Sequence, residues 1–348
     1  MPACADDRSG PALPLVSIVI NNHNYGRFIH DAIDSALHQL YPTIEVIVVD
    51  DGSTDDSRDV IASYGNRIVA VLKECGGQAS ALNAGFALSH GDIVIFLDAD
   101  DVLLPRTVER VAYTFRSNPR LAKVSYRLAV VDTSGMPTGA VTPSRSARMP
   151  QGDMRNQVLN CPDDIPWPET SGNAFSAAVL REVMPVPEDV YPICADYYLS
   201  NVSALFLPVV SLEQAGGYHR RHGSNLHTVK GLDLEQTRRI ISLTIATHAY
   251  IELFVKRLGL TWTRARPYRL LSVSFVAHRL ISLRLDPSHH PISDDTALRL
   301  LWQGLIAGML HSQSSFAKRM LYVAWVMLVA VIPKPMVRVM GDAFFNHQ

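Results

Sequence analysis

Three short polar segments each follow directly on an apolar run: Asn21-Asn22-His23-Asn24-Tyr25, Asp50-Asp51-Gly52-Ser53 and Asp98-Ala99-Asp100-Asp101. Any one of them reads as readily as a helix cap or a turn. Three in equivalent places read as a site, because carboxylates crowded at one edge repel each other unless a ligand or cation compensates. In an extended chain, residues two apart point to the same side, so Asp98 and Asp100 would present oxygens together. Paired carboxylates suit a hard divalent cation, Mn2+ or Mg2+, that bridges to phosphate oxygens. Such a cation neutralises the charge growing on a departing diphosphate.

The apolar runs before these segments are the elements that must position them. Leu15–Ile20, Glu45–Val49, Ile68–Leu72 and Ile93–Leu97 are short and rich in β-branched residues, as strands buried on both faces are. Between them, Phe28, Ile29, Ala32, Ile33, Ala36, Leu37 and Leu40 recur at helical spacing, and Ser57–Tyr64 and Gln78–Ser89 also read as helices. Pro105 then opens a further helix. This alternation predicts an α/β fold with a doubly wound, mostly parallel sheet, whose ligands bind outside the carboxyl ends of the strands. From about 119 to 230 the pattern loosens into strands, turns and one helix near Tyr197–Phe206. After Gly231 it becomes helical, with apolar faces over 234–257, 267–285, 296–312 and 315–332. The expected division is a disordered lead-in at 1–14, an α/β domain at 15–230 in two halves (15–118 and 119–230), and a helical C-terminal region at 231–348.

With 47% apolar and 19% charged residues among 348, the chain can bury a sizeable core, which excludes global disorder. The net charge of −1 hides an asymmetry: 18 Lys and Arg stand against 26 Asp and Glu up to residue 230, and 14 against 7 beyond it. The basic back half suits an anionic surface such as phospholipid. Cys4, Cys75, Cys161 and Cys194 are scattered and read as reduced thiols. The polar N-terminus does not read as a signal peptide. The longest uncharged apolar run, Met320–Ile332, is thirteen residues, short of the roughly 20 that cross a bilayer as a helix.

The stretch VSIVINNHNYGRFIHDAIDSALHQLYPTIEVIVVDDGSTDDS, followed by GGQASALNAGF and GDIVIFLDADD, resembles the family 2 glycosyltransferases of GT-A fold. The likeness runs from about Val16 to Arg110, with a weaker tail through about Leu226. It implies that Asn21, His23, Asp50 and Asp51 hold the nucleobase and ribose, and that Lys73, Gln78 and Asn83 line the nucleotide side. Asp98 and Asp100 match the family's DxD motif, with Asp98 nearer the ribose and Asp100 nearer the metal. The general base falls at Asp196, where Cys194-Ala195 replaces the preceding acid of the family pattern. Gly217–Asn225 resembles the segment that closes over the diphosphate, which puts His222 at the metal or a phosphate and Arg220 or Arg221 at phosphate. Thr170–Asn173 resembles the acceptor-side loop, with Gly172 and Asn173. Asn21-Asn22 stands where Pro-Thr is commoner, and the Gln-x-x-Arg-Trp signature of processive synthases is absent.

The resemblance implies an inverting, metal-dependent hexosyltransferase. It would move sugar from a nucleoside-diphosphate donor, a UDP-sugar foremost, to an acceptor hydroxyl in cell-surface glycan or glycolipid synthesis. A non-catalytic nucleotide-sugar-binding homologue and a sugar nucleotidyltransferase are the rival readings. A NAD-binding domain is excluded by the lack of Gly-x-Gly-x-x-Gly after the first strand. Expected partners are the donor and a glycan or lipid-linked acceptor, with no nucleic acid. The C-terminal helices would pack on the catalytic domain or a second subunit, or lie on the inner face of the membrane of a cytoplasmic protein, since Lys318-Arg319 and Lys334 flank the Met320–Ile332 run.

Overall fold

The computed structural model describes residues 13–223, 232–260, 272–310 and 316–345. The disordered lead-in expected at 1–14 lies largely outside these residues, as do Ser224 and Asn225. Strands and helices alternate through β1 (Val16–Asn22), α1 (Gly26–Leu37), β2 (Ile44–Asp51), α2 (Ser57–Ser63), β3 (Val69–Lys73), α3 (Gln78–Ala87) and β4 (Ile93–Asp98). There follow β5 (Val102–Leu103), α4 (Thr107–Ser117), β6 (Lys123–Val131), β7 (Pro137–Thr142), α5 (Arg155–Asn160), β8 (Asn173–Ser176), α6 (Ala177–Val183), α7 (Ala195–Ser203) and β9 (Val209–Arg220).

The nine strands among the described residues form one sheet in the order β3-β2-β1-β4-β8-β6-β9-β5, with β7 paired to β6. The first four strands are parallel, as their crossover helices require. β8 runs antiparallel to both β4 and β6, and β9 returns parallel to β6. The two-residue alternation of the strands divides the core between two faces. Ile18, Ile20, Val46 and Val48 pack under α1 and α4, with Ile29, Ile33 and Val108. Val19, Ile47, Val49 and Phe96 pack on the other side with Leu82, Leu180 and Leu199.

The C-terminal part comprises α8 (Leu234–Arg257), α9 (Val273–Leu285), α10 (Ala297–Leu310), α11 (Phe316–Val331) and α12 (Lys334–Phe345). Asp233 caps α8 through the N–H groups of Glu235 and Gln236, and Lys256 and Arg257 stand in its last turn, where cations favour the helix dipole. α8 places Leu243, Ile251, Phe254 and Val255 in the same core as one face of the sheet. The later helices build a separate core around Leu280, Ile281, Leu300, Val326, Val329 and Val337. Inside it Arg279 is buried and donates to Asp295 and to Gln303 Oε1, while His290 Nε2 meets Asp295 at 3.1 Å. No helix among the described residues is long and apolar enough to cross a membrane.

Candidate functional site

Strand register brings the polar segments together. Asn21 lies opposite Asp98, Asn22 opposite Asp50, and Lys73 opposite Asp51. These are the carboxyl ends of β1, β2, β3 and β4, where an open parallel sheet binds its ligands.

Asp51 is buried and accepts from Lys73 Nζ at 2.6 Å and from the Gly76 and Gly77 amides at 2.9 and 2.7 Å. Gly77 allows this with a φ of +87°, and a Cβ there would sit 2.8 Å from the Pro192 backbone. His23 is exposed, with Nδ1 2.7 Å from the Asp51 carbonyl oxygen. Asp50 is fully buried and accepts from Asn22 Nδ2, the Ser53 amide and Arg58 Nε. Burial alone would raise its pKa, but the donors Ser53, Arg58 and Asn22 outweigh it and hold the carboxyl below its ordinary value. Asp50 thus stitches the loop after β1 to the loop after β2, and Asp51 stands beside it at the mouth.

Asp98 and Asp100 differ from the expectation of an extended pair. β4 ends at Asp98, and the next residues turn, with the Asp101 amide donating to the Asp98 carbonyl at 3.0 Å. The turn, not strand alternation, is what clusters three carboxylates. Burial, with the charges of Asp101 and Asp100, pushes Asp98 up to about 8. Burial also raises Asp100, and Asp101 adds to this, while His222 opposes it. Asp100 Oδ2 lies 3.0 Å from His222 Nε2, and the buried His222 ring packs between Phe28 and Tyr25, at centroid distances of 4.9 and 5.5 Å. Asp101 accepts from the Arg220 amide and from His219 Nδ1. Burial works against the His219 imidazolium, yet the hydrogen bond and charge of Asp101 push its pKa up to about 9.

The other expected residues are placed as follows. Gln78 opens α3 and bridges the site: Nε2 donates to Asp98 Oδ1 and Thr170 Oγ1 at 3.2 Å each, and Oε1 accepts from the Ala195 amide at 3.0 Å. Asn83 has both ends of its amide committed to Val186 and Glu188, as a clamp behind α3. Arg220 is buried over the Phe28 ring and donates to Asp31, to the Asp100 carbonyl and to the Thr133 carbonyl, so its guanidinium braces the Asp100–Asp101 turn. Arg221 is exposed, its amide donating to Val131. Gly172 and Asn173, expected on the acceptor side, are buried. A Cβ on Gly172 would meet Pro168 at 2.5 Å, and Asn173 donates to the Pro168 and Glu169 carbonyls while accepting from Ser125.

Asp196 sits half-buried in the first turn of α7, behind Cys194, the residue that holds the cap position with a φ of +62°. Its charge reaches Asp98 and also Lys123. Lys123 gave no sequence signal, because a lysine at the start of a strand reads as solvent-facing. It is in fact fully buried, with Nζ 2.8 Å from Ser200 Oγ and 4.1 Å from the Trp167 ring centre. Ser171, within the Thr170–Asn173 segment, accepts from the Asp98 amide through its hydroxyl at 3.1 Å.

Metal-ligating geometry occurs once among the described residues, and the acidic turn offers a second, open set of donors. One ligand atom each from His23, Asp51 and Cys75 falls within 4.8 Å of the others, the single trio of this kind among the described residues. Asp98, Asp100 and His222 supply hard oxygens and one nitrogen without closing such a trio. An open set fits a cation that takes its remaining ligands from phosphate and water.

The Glycosyl transferase family 2 pattern matches residues 17–169. An uncharacterized glycosyltransferase of Nostoc sp. is 32% identical over 249 residues, covering 70% of this chain and 76% of the relative. The chain belongs to glycosyltransferase family 2. The fold of this family 2 glycosyltransferase is GT-A, shared with S. aureus TarS 1–349 in complex with UDP-GlcNAc, at a TM-score of 0.52 and 15% identity over 90% of each chain. It is shared also with the mannosyltransferase PcManGT of Pyrobaculum calidifontis in complex with GDP-Man and Mn2+, at 0.51 and 17%, covering 97% of this chain and 86% of that one. At such identities the likeness is one of fold.

Proposed function

We propose that this glycosyltransferase binds a nucleoside-diphospho-sugar, a UDP-sugar foremost, and transfers the hexose with inversion to an acceptor hydroxyl in glycan or glycolipid synthesis. The observation that carries the reading is the Gln78 bridge. One side chain ties Asp98, at the end of β4, to the first turn of the helix that bears Asp196. Donor-side and acceptor-side groups are thereby held in one frame.

In this reading Asn21, His23 and Asp51 with Lys73 receive the base and ribose. Asp98 and Asp100, with His222, would hold a divalent cation, Mn2+ or Mg2+. Burial and the neighbouring Asp101 charge raise the pKa of both Asp98 and Asp100, which marks a site short of positive charge that such a cation fits. When bound it supplies charge neutralisation for the leaving diphosphate. Asp196 takes the acceptor proton as the acceptor oxygen attacks the anomeric carbon from the face opposite the nucleotide; the bond to the diphosphate breaks and configuration inverts. His219, kept protonated by Asp101, and the Arg220 brace fix the turn that carries Asp100. Arg221 is the exposed cation of this segment and is assigned to the diphosphate side.

A panel of nucleotide-sugars assayed for donor hydrolysis and for transfer tests the reading. Turnover of one donor class with inversion of the anomeric centre is the expected result. Tight donor binding with no turnover of any donor would instead support a non-catalytic binding protein.

A further inference from the structure

The charged residues of α11, Lys318 and Arg319, stand in its first turn, and the rest of the helix is apolar. At 100° per residue, Phe316, Met320, Leu321, Met327, Leu328 and Val331 fall within an arc of about 140°, and all six are exposed, Phe316 and Val331 to 73% and 74%. On the opposite side Val326, Val329 and Ala330 are buried in the C-terminal core. From Met320 to Val331 the helix is apolar all round; such a stretch belongs in a protein core or in lipid, and this one has only one side in a core. α10 repeats the pattern: Leu298, Trp302 and Met309 share one narrow stripe and are exposed. α12 adds exposed Met336 and Val339.

We propose that the outward faces of α10, α11 and α12 dock this protein on an anionic lipid surface. Charge selects that occupant. From Ala297 to the end the chain carries five Lys and Arg, namely Arg299, Lys318, Arg319, Lys334 and Arg338, against the single acid Asp342. That acid is turned to use within the fold, accepting from the Leu232 amide. Arg299, Lys334 and Arg338 are exposed beside the apolar side chains. A second copy applied by twofold symmetry would set this cationic face against itself. An anionic membrane instead pairs the cations with headgroups while the apolar stripe enters the acyl boundary, and a tryptophan such as Trp302 suits that interface.

The mode is peripheral. α11 has 16 residues, about 24 Å of helix against the roughly 30 Å of a hydrocarbon core. Tight packing holds the platform rigid: Gly304 and Gly308 let α10 approach α11 so closely that a Cβ at either would meet Val326 or Val323 within 2.7 Å.

The test uses the full chain, and its readout is independent of catalysis. Flotation with vesicles of phosphatidylcholine and phosphatidylglycerol, and of phosphatidylcholine alone, is run at low and high salt beside a sizing measurement. Binding to the anionic vesicles, weakened by salt, is expected. Leu321→Glu with Leu328→Glu should lower the bound fraction about tenfold while leaving the melting temperature unchanged, since both side chains face solvent. Lys334→Glu with Arg338→Glu, which keeps the apolar stripe, should remove the preference for anionic over neutral vesicles. Wild-type protein that stays off anionic vesicles at low salt overturns the proposal. So do Glu variants that bind as well as wild type, and so does a dimer that the Leu321→Glu, Leu328→Glu pair dissociates.

Discussion

Asn21 and Asp98 face each other across β1 and β4, and Asn21 Nδ2 donates to the Asp98 carboxylate at 3.0 Å while Asn21 Oδ1, buried, has no partner among the described residues. A buried acceptor left open is costly, and in a cleft it is most simply satisfied by a donor on the ligand. Asn21→Ala should therefore weaken nucleoside-diphosphate binding about tenfold, near 1.4 kcal/mol. Turnover at saturating donor should be largely kept. Calorimetric titration decides it, and unchanged affinity would mean that the open oxygen does not face the nucleotide.

Asp196→Asn removes a proton acceptor and keeps the shape of the first turn of α7. With Asp196 as the general base, kcat should fall by about 10² to 10⁴ while donor affinity stays within about twofold. Single-turnover transfer measured beside nucleotide binding separates the two. A variant retaining a tenth or more of wild-type turnover would remove Asp196 from the chemistry.

The central fold was legible because parallel strands buried on both faces are written as short apolar runs, and β1, β2 and β4 stand where those runs are; β3 forms at its run too, but as the edge strand it leaves Val69 and Leu72 exposed. α8 matches the periodicity at both ends, since Asp233 marks its start and Lys256-Arg257 its end. α12 was missed. Pro333 closes the Met320–Ile332 run, yet the next helix opens directly after it, with Pro335 at the second position of α12, where a missing N–H costs nothing. The site was legible as segments but not as geometry. Asp98, Asp100 and Asp101 converge through a turn, and the commitments of Arg220 to Asp31 and of Asn83 to Glu188 depend on residues 189 and 105 positions away. No local spacing encodes those pairings. Lys123 escaped for the same reason, its burial being imposed by Trp167, Phe175 and Ser200.

The crowded carboxylates lead to a metal prediction. Nucleoside-diphosphate affinity should rise at least about tenfold on adding Mn2+ or Mg2+, as a cation relieves the repulsion that lifts Asp98 and Asp100. Asp100→Ala should erase the difference between metal and chelator while leaving the Asp51–Lys73 side intact. Titration of the nucleotide with and without chelator measures it, and equal affinities in the wild-type protein would refute metal dependence.

The last prediction concerns acid stability. His278 is buried in α9, with Nδ1 2.8 Å from the Ser274 carbonyl, an arrangement that requires Nδ1 to carry the proton and donate. Burial drives its pKa down from 6.5 to about 4, against the smaller raising effects of that hydrogen bond and of Asp163. Between these two values the unfolded chain binds a proton that the folded chain refuses. Stability should therefore fall as pH drops from about 6.5 to about 4, by roughly 3 kcal/mol for this one group. Above pH 6.5 the imidazole is neutral in both states and contributes no slope. His278→Gln can still donate to the Ser274 carbonyl and cannot titrate, so its urea-unfolding free energy should lose this share of the slope over that window. If the wild-type and variant pH profiles run parallel between pH 4 and 6.5, His278 is not held neutral by the fold.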